Sequence, residues 1–347
     1  MTNNHNKPIL SVRDLKTYFF PDEGVVKAVD GASFDVYAGK TLGIVGESGC
    51  GKSVTSRSIL RILEEPGRIV SGEIVLRRHK GDKPGVEVDL TQLKPNSREM
   101  RAIRGDEIAL IFQEPMTSLS AHYTIGNQII EAIRLHRDVS HNEARERAIQ
   151  LMRQVGIPQP ERRLNEYSFQ LSGGLRQRVV IALALSCDPT ILIADEPTTA
   201  LDVTTQAQIL DLLRRLQDER QMAIILITHN MGVIAEMADE VVVMYLGRDV
   251  EKGPVDDIFH APKHPYTRAL LCSIPSLLAP PRVQLPTISG SIPHPYNRPA
   301  GCPFHPRCVD AMPGLCDVRE PQPVMVDRQR VCCFLYDGSL TSRGPEV

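Results

Sequence analysis

No apolar stretch in this 347-residue chain approaches the ~20 residues that a membrane-crossing helix requires; the longest candidates, Val179 to Cys187 and Ala223 to Thr228, fall well short. The start, Met1 to Lys7, is polar and lacks the basic-then-apolar run of a secretory leader. The chain is therefore expected in the cytosol, meeting a membrane only through a partner. An excess of positive charge is missing too: Lys+Arg 40 stand against Asp+Glu 42, so nothing favours a polyanion and nucleic acid is not suggested. There is no internal repeat, so each motif occurs once. Eight cysteines in a reducing compartment argue against a disulfide framework.

What is present is the composition of an ordinary globular protein, 42% hydrophobic and 24% charged. The length suits one large α/β unit plus an appended segment. Thr41 to Gly46, Ile191 to Asp195, Ala223 to Thr228 and Val241 to Leu246 are short runs rich in Ile and Val, as expected of central strands covered on both faces. Thr204 to Arg220 carries Ile209, Leu210, Leu213 and Leu216 at helical spacing, with charges opposite. Strand and helix thus alternate, which predicts an α/β fold with a mostly parallel sheet. Gly126 to Arg137 and Asn142 to Val155 are helical patterns with no strong strand between them, so an inserted helical subdomain is expected over about 114–170. Residues 1–261 read as one α/β domain. Prolines then crowd the segment from Pro262 to Pro323, and 262–347 reads as a loop-rich, Cys-rich C-terminal extension with little core of its own.

Gly46-Glu47-Ser48-Gly49-Cys50-Gly51-Lys52-Ser53 matches G-x-x-x-x-G-K-[ST] between a strand and a helix-compatible stretch. The glycines let backbone N–H groups curl around phosphate oxygens, Lys52 neutralises the outer phosphates, and Ser53 can ligate Mg²⁺. Cys50 holds a variable position and reads as filler. Gly46, Ser48, Gly49, Cys50, Gly51, Lys52, Ser53 and Val54 are the ATP-binding candidates of this loop. The strand Ile191 to Asp195 ends in two carboxylates, where the carboxyl edge of an open α/β sheet takes ligands. Asp195 is expected in the Mg²⁺ shell, with Glu196 orienting and deprotonating the attacking water.

Leu171-Ser172-Gly173-Gly174-Leu175-Arg176-Gln177-Arg178 stands ahead of the acidic pair. With it, the sequence resembles the ABC ATPases: LSGGLRQR is similar to that family's signature motif. Gln113 in Ile111-Phe112-Gln113-Glu114-Pro115, Ala200-Leu201-Asp202 and His229 after Thr228 follow in the family's order, between residues 8 and 260. A helix starting at Ser-Gly-Gly offers free N–H groups to an anion, yet one chain cannot easily fold that site onto its own phosphate loop. The resemblance implies two subunits head to tail, with Ser172, Gly173 and Gly174 of one meeting the γ-phosphate held by Gly49, Lys52 and Ser53 of the other. It also implies that Gln113 touches Mg²⁺ and the attacking water, that His229 touches the γ-phosphate, and that Asp202 connects the two sites. Tyr18-Phe19-Phe20 lies where the family supplies an aromatic that stacks on adenine. The spacing selects Phe19, although any of the three can be an ordinary strand residue.

Glu114 to Leu119, Leu201 to Leu210 and His264-Pro265-Tyr266-Thr267-Arg268-Ala269-Leu270 are similar to stretches of dipeptide, oligopeptide and nickel importer ATPases. Ser120-Ala121 replaces the family's common Asn-Pro, and Thr199 stands where Ser is common. The branch implies uptake of peptides, or of nickel or another small solute. Its partners would be a second ATPase subunit (itself or a paralogue), two transmembrane permease subunits and an external substrate-binding protein. The location would be peripheral, on the cytoplasmic face of the inner membrane. The region from Glu114 to Arg137 is the expected dock for a permease helix. Non-transport ABC ATPases tend to carry two ATPase halves or long coiled-coil insertions, and neither occurs here.

Cys302, Cys308 and Cys316 give C-x5-C-x7-C, and Cys332-Cys333 offers a fourth thiolate. A metal staple would help a segment with a poor core. Ligand count alone does not separate a [4Fe-4S] cluster from Zn²⁺. Resemblance to the iron–sulfur-binding tail of peptide-importer ATPases favours the cluster and places the last ligand before Phe334-Leu335-Tyr336, hence Cys333. Lying far in sequence from every phosphate contact, the cluster is expected to be structural.

Overall fold

The computed structural model describes residues 7–78, 85–113, 118–199, 201–274 and 288–337; Glu114 to Thr117 and Ala200, parts of the motifs above, lie outside the described residues. In chain order the strands are β1 (Leu10–Phe19), β2 (Val26–Val36), β3 (Thr41–Val45), β4 (Gly67–Arg77), β5 (Glu87–Asp89), β6 (Ile108–Ile111), β7 (Ile191–Asp195), β8 (Ala223–Thr228), β9 (Glu240–Tyr245), β10 (Arg248–Pro254), β11 (Val324–Val326) and β12 (Gln329–Val331). An eight-stranded sheet has the order β11-β12-β10-β9-β3-β8-β7-β6, parallel from β9 to β6 and antiparallel from β9 to β11. A separate four-stranded antiparallel sheet has the order β2-β1-β4-β5.

The central strands are apolar without alternation because both faces are covered. Ile191 and Ile193 of β7 join Ile44, Ile225 and the small sheet's Leu10 and Phe34 in one core. Leu192 and Ala194 join Leu226, Val243 and the helices in the other. The helices that matter for the site are α1 (Lys52–Ile59), α2 (Ile125–His136), α3 (His141–Gln154), α4 (Gly173–Ala184), α5 (Val203–Arg220), α6 (Met231–Met237) and α7 (Pro265–Cys272). The helical region is built on α2 and α3. Thr124 caps α2 through the Asn127 N–H, and Ser140 with Glu143 forms a capping box on α3. Ile129, Ile133, Ala148 and Met152 pack with Val180 of α4.

Two features lie beyond the sequence reading. The small sheet was not foreseen: its strands carry polar residues and several register shifts, so their periodicity is broken. The extension, read as having little core of its own, shares the main one. It adds β12 beside β10 and sends Cys302, Phe304, Cys316 and Phe334 into the core of the helical side.

Candidate active site

Because β9, β3, β8, β7 and β6 are parallel, their C-terminal ends share one edge of the sheet. β3 runs into Gly46, β8 into His229, β7 into Glu196 and β6 into Phe112-Gln113. The register sets Val45 opposite Thr228, Ile227 opposite Asp195 and Ala194 opposite Ile111. Motifs separated by more than a hundred residues therefore converge.

The loop after β3 is shaped by glycines that nothing else could replace. Gly46 has φ 152°, and a Cβ there would lie 2.2 Å from the Met244 carbonyl oxygen; Gly51 has φ 99° and would meet the Ala28 carbonyl at 2.2 Å. Cys50 is buried in the core beneath the loop, and burial pushes its thiol pKa up, which makes it a packing residue. Ser48 and Gly49 are exposed, and Val54 packs partly buried against the core. Lys52 Nζ donates to the carbonyls of Gly46 (2.8 Å) and Glu47 (3.1 Å). Ser53 Oγ donates to Asp195 Oδ1 at 3.1 Å.

Burial raises the pKa of Asp195, a cost that a nearby cation would relieve, and the Ser53 hydroxyl beside it completes an all-oxygen pair of the kind Mg²⁺ accepts. Glu196 is held differently. His229 Nδ1 lies 3.0 Å from Oε1, while Thr199 Oγ1 (2.8 Å) and Gln113 Nε2 (3.3 Å) donate to Oε2. Burial alone would raise its pKa, but the bonds from His229 and Thr199 outweigh that, so the carboxyl sits below the usual range. Glu196 also has φ 50°, a left-handed backbone that turns it out of the strand.

Ser172 and Gly173 are exposed at the start of α4, and the Ser172 hydroxyl caps nothing in its own helix; Gly174 follows, half-buried. Asp202 caps α5, accepting from the Thr205 N–H (3.0 Å) and hydroxyl (2.7 Å). The three aromatics of β1 and its end have separate partners. Tyr18 donates to Asp30 (2.5 Å), Phe20 lies under the Arg68 guanidinium at 4.1 Å, and Phe19 covers Gly67.

Three residues that the sequence reading did not single out complete the loop. Glu47 pairs with Arg307 through two bonds, 2.7 and 3.0 Å, and its N–H donates to the Tyr266 hydroxyl at 2.9 Å. Arg307 and Tyr266 come from the extension. Tyr266 sits in the His264 to Leu270 stretch whose resemblance was noted, but nothing in the sequence links Arg307 to Glu47.

Cys302, Cys308, Cys316 and Cys333 line one small cavity, whereas Cys332 lines a neighbouring one. None of these cysteines is in a disulfide. The Met312 N–H donates to Cys316 Sγ at 3.4 Å, and the backbone N–H groups of Phe304 and His305, of Asp310 and of Leu335 favour the thiolates of Cys302, Cys308 and Cys333. Burial, with repulsion between the thiols, pushes Cys302 up to about 11 and Cys333 up to about 12. Among the described residues no group of three or more His, Cys, Asp or Glu is arranged to hold a metal ion.

The ABC transporter family model matches residues 29–199, and that of the oligopeptide/dipeptide transporter C-terminal region matches residues 250–316. A Sinorhizobium fredii protein, named as a probable peptide ABC transporter ATP-binding protein, is 48% identical over 322 residues, covering 92% of each chain. A Brucella melitensis protein, named for peptide import and ATP binding, is 50% identical over 312 residues, covering 88% of this chain and 90% of its own. The dimeric structure of a bacterial ABC transporter cassette aligns with TM-score 0.61 and 25% identity, over 71% of this chain and 98% of that one. A component of the cbiONQ ABC transporter complex of Clostridium perfringens aligns with TM-score 0.58 and 26% identity, over 74% and 92%.

Proposed function

The chain belongs to the ABC transporter family as an ATP-binding subunit, and from that premise we propose that it hydrolyses ATP to power the uptake of peptides through separate membrane subunits. The observation that carries the hydrolytic reading is the meeting of Gln113 and His229 on Glu196 beside the Ser53–Asp195 pair. Peptides are favoured as cargo by the oligopeptide/dipeptide C-terminal region and by the names of the two relatives.

In this reading Lys52 neutralises the outer phosphates, and Glu196, ionised and aimed by His229 and Thr199, accepts the proton of the attacking water. Mg²⁺, held by Ser53, Asp195 and Gln113, supplies charge neutralisation at the outer phosphates. Ser172, Gly173 and Gly174 of one subunit close over the phosphate loop of another, and the exposure of Ser172 with an uncommitted hydroxyl supports this. Asp202, pinned as a helix cap, lies at that junction, and Phe19 remains the candidate adenine platform. Residues 1–261 form the nucleotide-binding domain and 262–347 the extension. The groove lined by Tyr123, Asn127, Glu131 and Leu135 takes the permease helix, because Tyr123 and Leu135 are exposed apolar side chains there.

Cys302, Cys308, Cys316 and Cys333 hold a [4Fe-4S] cluster. A four-iron cube spreads its sulfur ligands more widely than a single zinc ion does, which suits thiols around a cavity better than a tight group. The N–H groups at each sulfur would stabilise thiolates. The chain acts at the cytoplasmic face of the membrane with a second ATPase subunit, two permeases and an external binding protein. Among the described residues no helix is long and apolar enough to cross a membrane itself. Purifying the tagged chain from membranes tests the assignment: co-purifying permease subunits are expected, and a chain recovered only with ribosomes or nucleic acid would overturn it.

A further inference from the structure

We infer that Arg307 and Tyr266, both from the C-terminal extension, are positioning residues for the phosphate-binding loop: they clamp Glu47 so that the loop's backbone is held in its nucleotide-ready shape. This rests on the reading of Gly46 to Ser53 as the ATP-phosphate loop and adds the extension to its machinery.

Every polar group of Glu47 is engaged. The carboxylate takes two bonds from Arg307, at 2.7 and 3.0 Å. The backbone N–H donates to the Tyr266 hydroxyl at 2.9 Å, and the carbonyl accepts from Lys52 Nζ at 3.1 Å and from the Cys50 N–H at 3.3 Å. The residue beside the loop's first glycine is thus anchored on one side to the phosphate-binding lysine and on the other to the extension. Arg307 is itself fixed. Its side chain is only 4% exposed, its Nε donates to the Ser289 carbonyl at 3.1 Å, and Nη1 reaches the Tyr245 hydroxyl at 3.4 Å. Tyr245 closes β9, the strand next to β3, and its ring packs against Tyr266 (4.7 Å) and Phe304 (5.2 Å).

A partly buried, two-bond arginine–carboxylate pair fixes direction as well as distance, which a lysine in its place would not do. A phosphate loop binds through several backbone N–H groups at once, so a small rotation at its first turn misaligns all of them. Arg307 also stands in the short turn between Cys302 and Cys308. The thiol cavity, far in sequence from every phosphate contact, is therefore one residue's reach from their loop.

The test is ATP affinity of the full-length chain, measured with a fluorescent ATP analogue, together with KM and kcat of the assembled transporter. Tyr266→Phe removes only the hydroxyl and keeps the ring packing, and Glu47→Gln weakens the pair from the loop side while every extension residue stays in place. Each is expected to raise Kd and KM about tenfold while kcat changes little. Arg307→Ala should do the same, Arg307→Lys should recover only part of it, and Glu47→Gln with Arg307→Ala should be no worse than either alone. The inference is overturned if Tyr266→Phe and Glu47→Gln bind ATP like the wild type. It is also overturned if the double variant shows the product of two independent losses, or if only thermal stability falls. Loss of ATP binding in the wild-type chain itself would instead refute the reading of the loop.

Discussion

The His229 Nδ1 atom lies 3.0 Å from Glu196 Oε1, on the turn that follows the neighbouring parallel strand. That contact, with Thr199 on the other oxygen, keeps the carboxylate both oriented and ionised. Glu196→Gln preserves the shape but cannot accept a proton. Turnover should fall by at least about 100-fold while ATP affinity is retained and nucleotide-bound dimers accumulate. Turnover within a few-fold of wild type, measured by phosphate release, would remove Glu196 from the role of base.

Ser172→Arg tests completion of the site by a second subunit. The residue is exposed and its hydroxyl caps nothing in its own helix. Nucleotide affinity of the isolated chain should be unchanged, while ATP turnover of the assembled complex should be suppressed, because the longer side chain would enter the partner's phosphate site. Survival of both quantities would sink the head-to-tail arrangement.

The legible part of this protein was the part in which neighbouring residues carry the signal. Ile191 to Asp195 and Ala223 to Thr228 are the strands β7 and β8 to the residue, because a buried parallel strand is a continuous apolar run. The predicted helices at Gly126 and Asn142 start within a residue of α2 and α3. What escaped depends on distant partners. β1 pairs with β2 and β4 through shifted registers, which blur its alternation. The Glu47–Arg307 pair spans 260 residues and leaves no trace in either local segment. Phe19 illustrates a middle case: its spacing made it a candidate, while its ring covers Gly67.

His264 gives the extension a pH dependence. It is buried and its Nδ1 accepts the Tyr266 N–H at 3.0 Å, capping α7. Burial, then the charge of Arg268, push its pKa down to about 3 from the ordinary 6.5. Between those values the unfolded chain binds a proton there and the folded chain does not. Its contribution is therefore complete above pH 6.5 and is lost progressively as the pH falls from there toward 3. His264→Asn keeps a capping oxygen without the titration, so urea midpoints at pH 7 and 5 should diverge less for the variant than for the wild type. Equal pH slopes would contradict the account.

The thiol cavity predicts a colour. Chain purified without oxygen should be brown, absorb broadly near ~400 nm and carry about four irons and four sulfides. Cys302→Ser with Cys308→Ser should lose the colour and lower the melting temperature. A colourless preparation with stoichiometric zinc would refute the iron assignment.

The central claim is that ATP hydrolysis at this sheet edge drives peptide inward. The most direct measurement is accumulation of a radiolabelled peptide in lipid vesicles holding the complete transporter, with ATP on the side of this chain and peptide with its binding protein on the other. The account predicts that peptide gathers on the ATP side, in step with phosphate release, and that Glu196→Gln stops both. Peptide movement that continues unchanged with Glu196→Gln, or ATP hydrolysis by the wild type that moves no peptide, would contradict it.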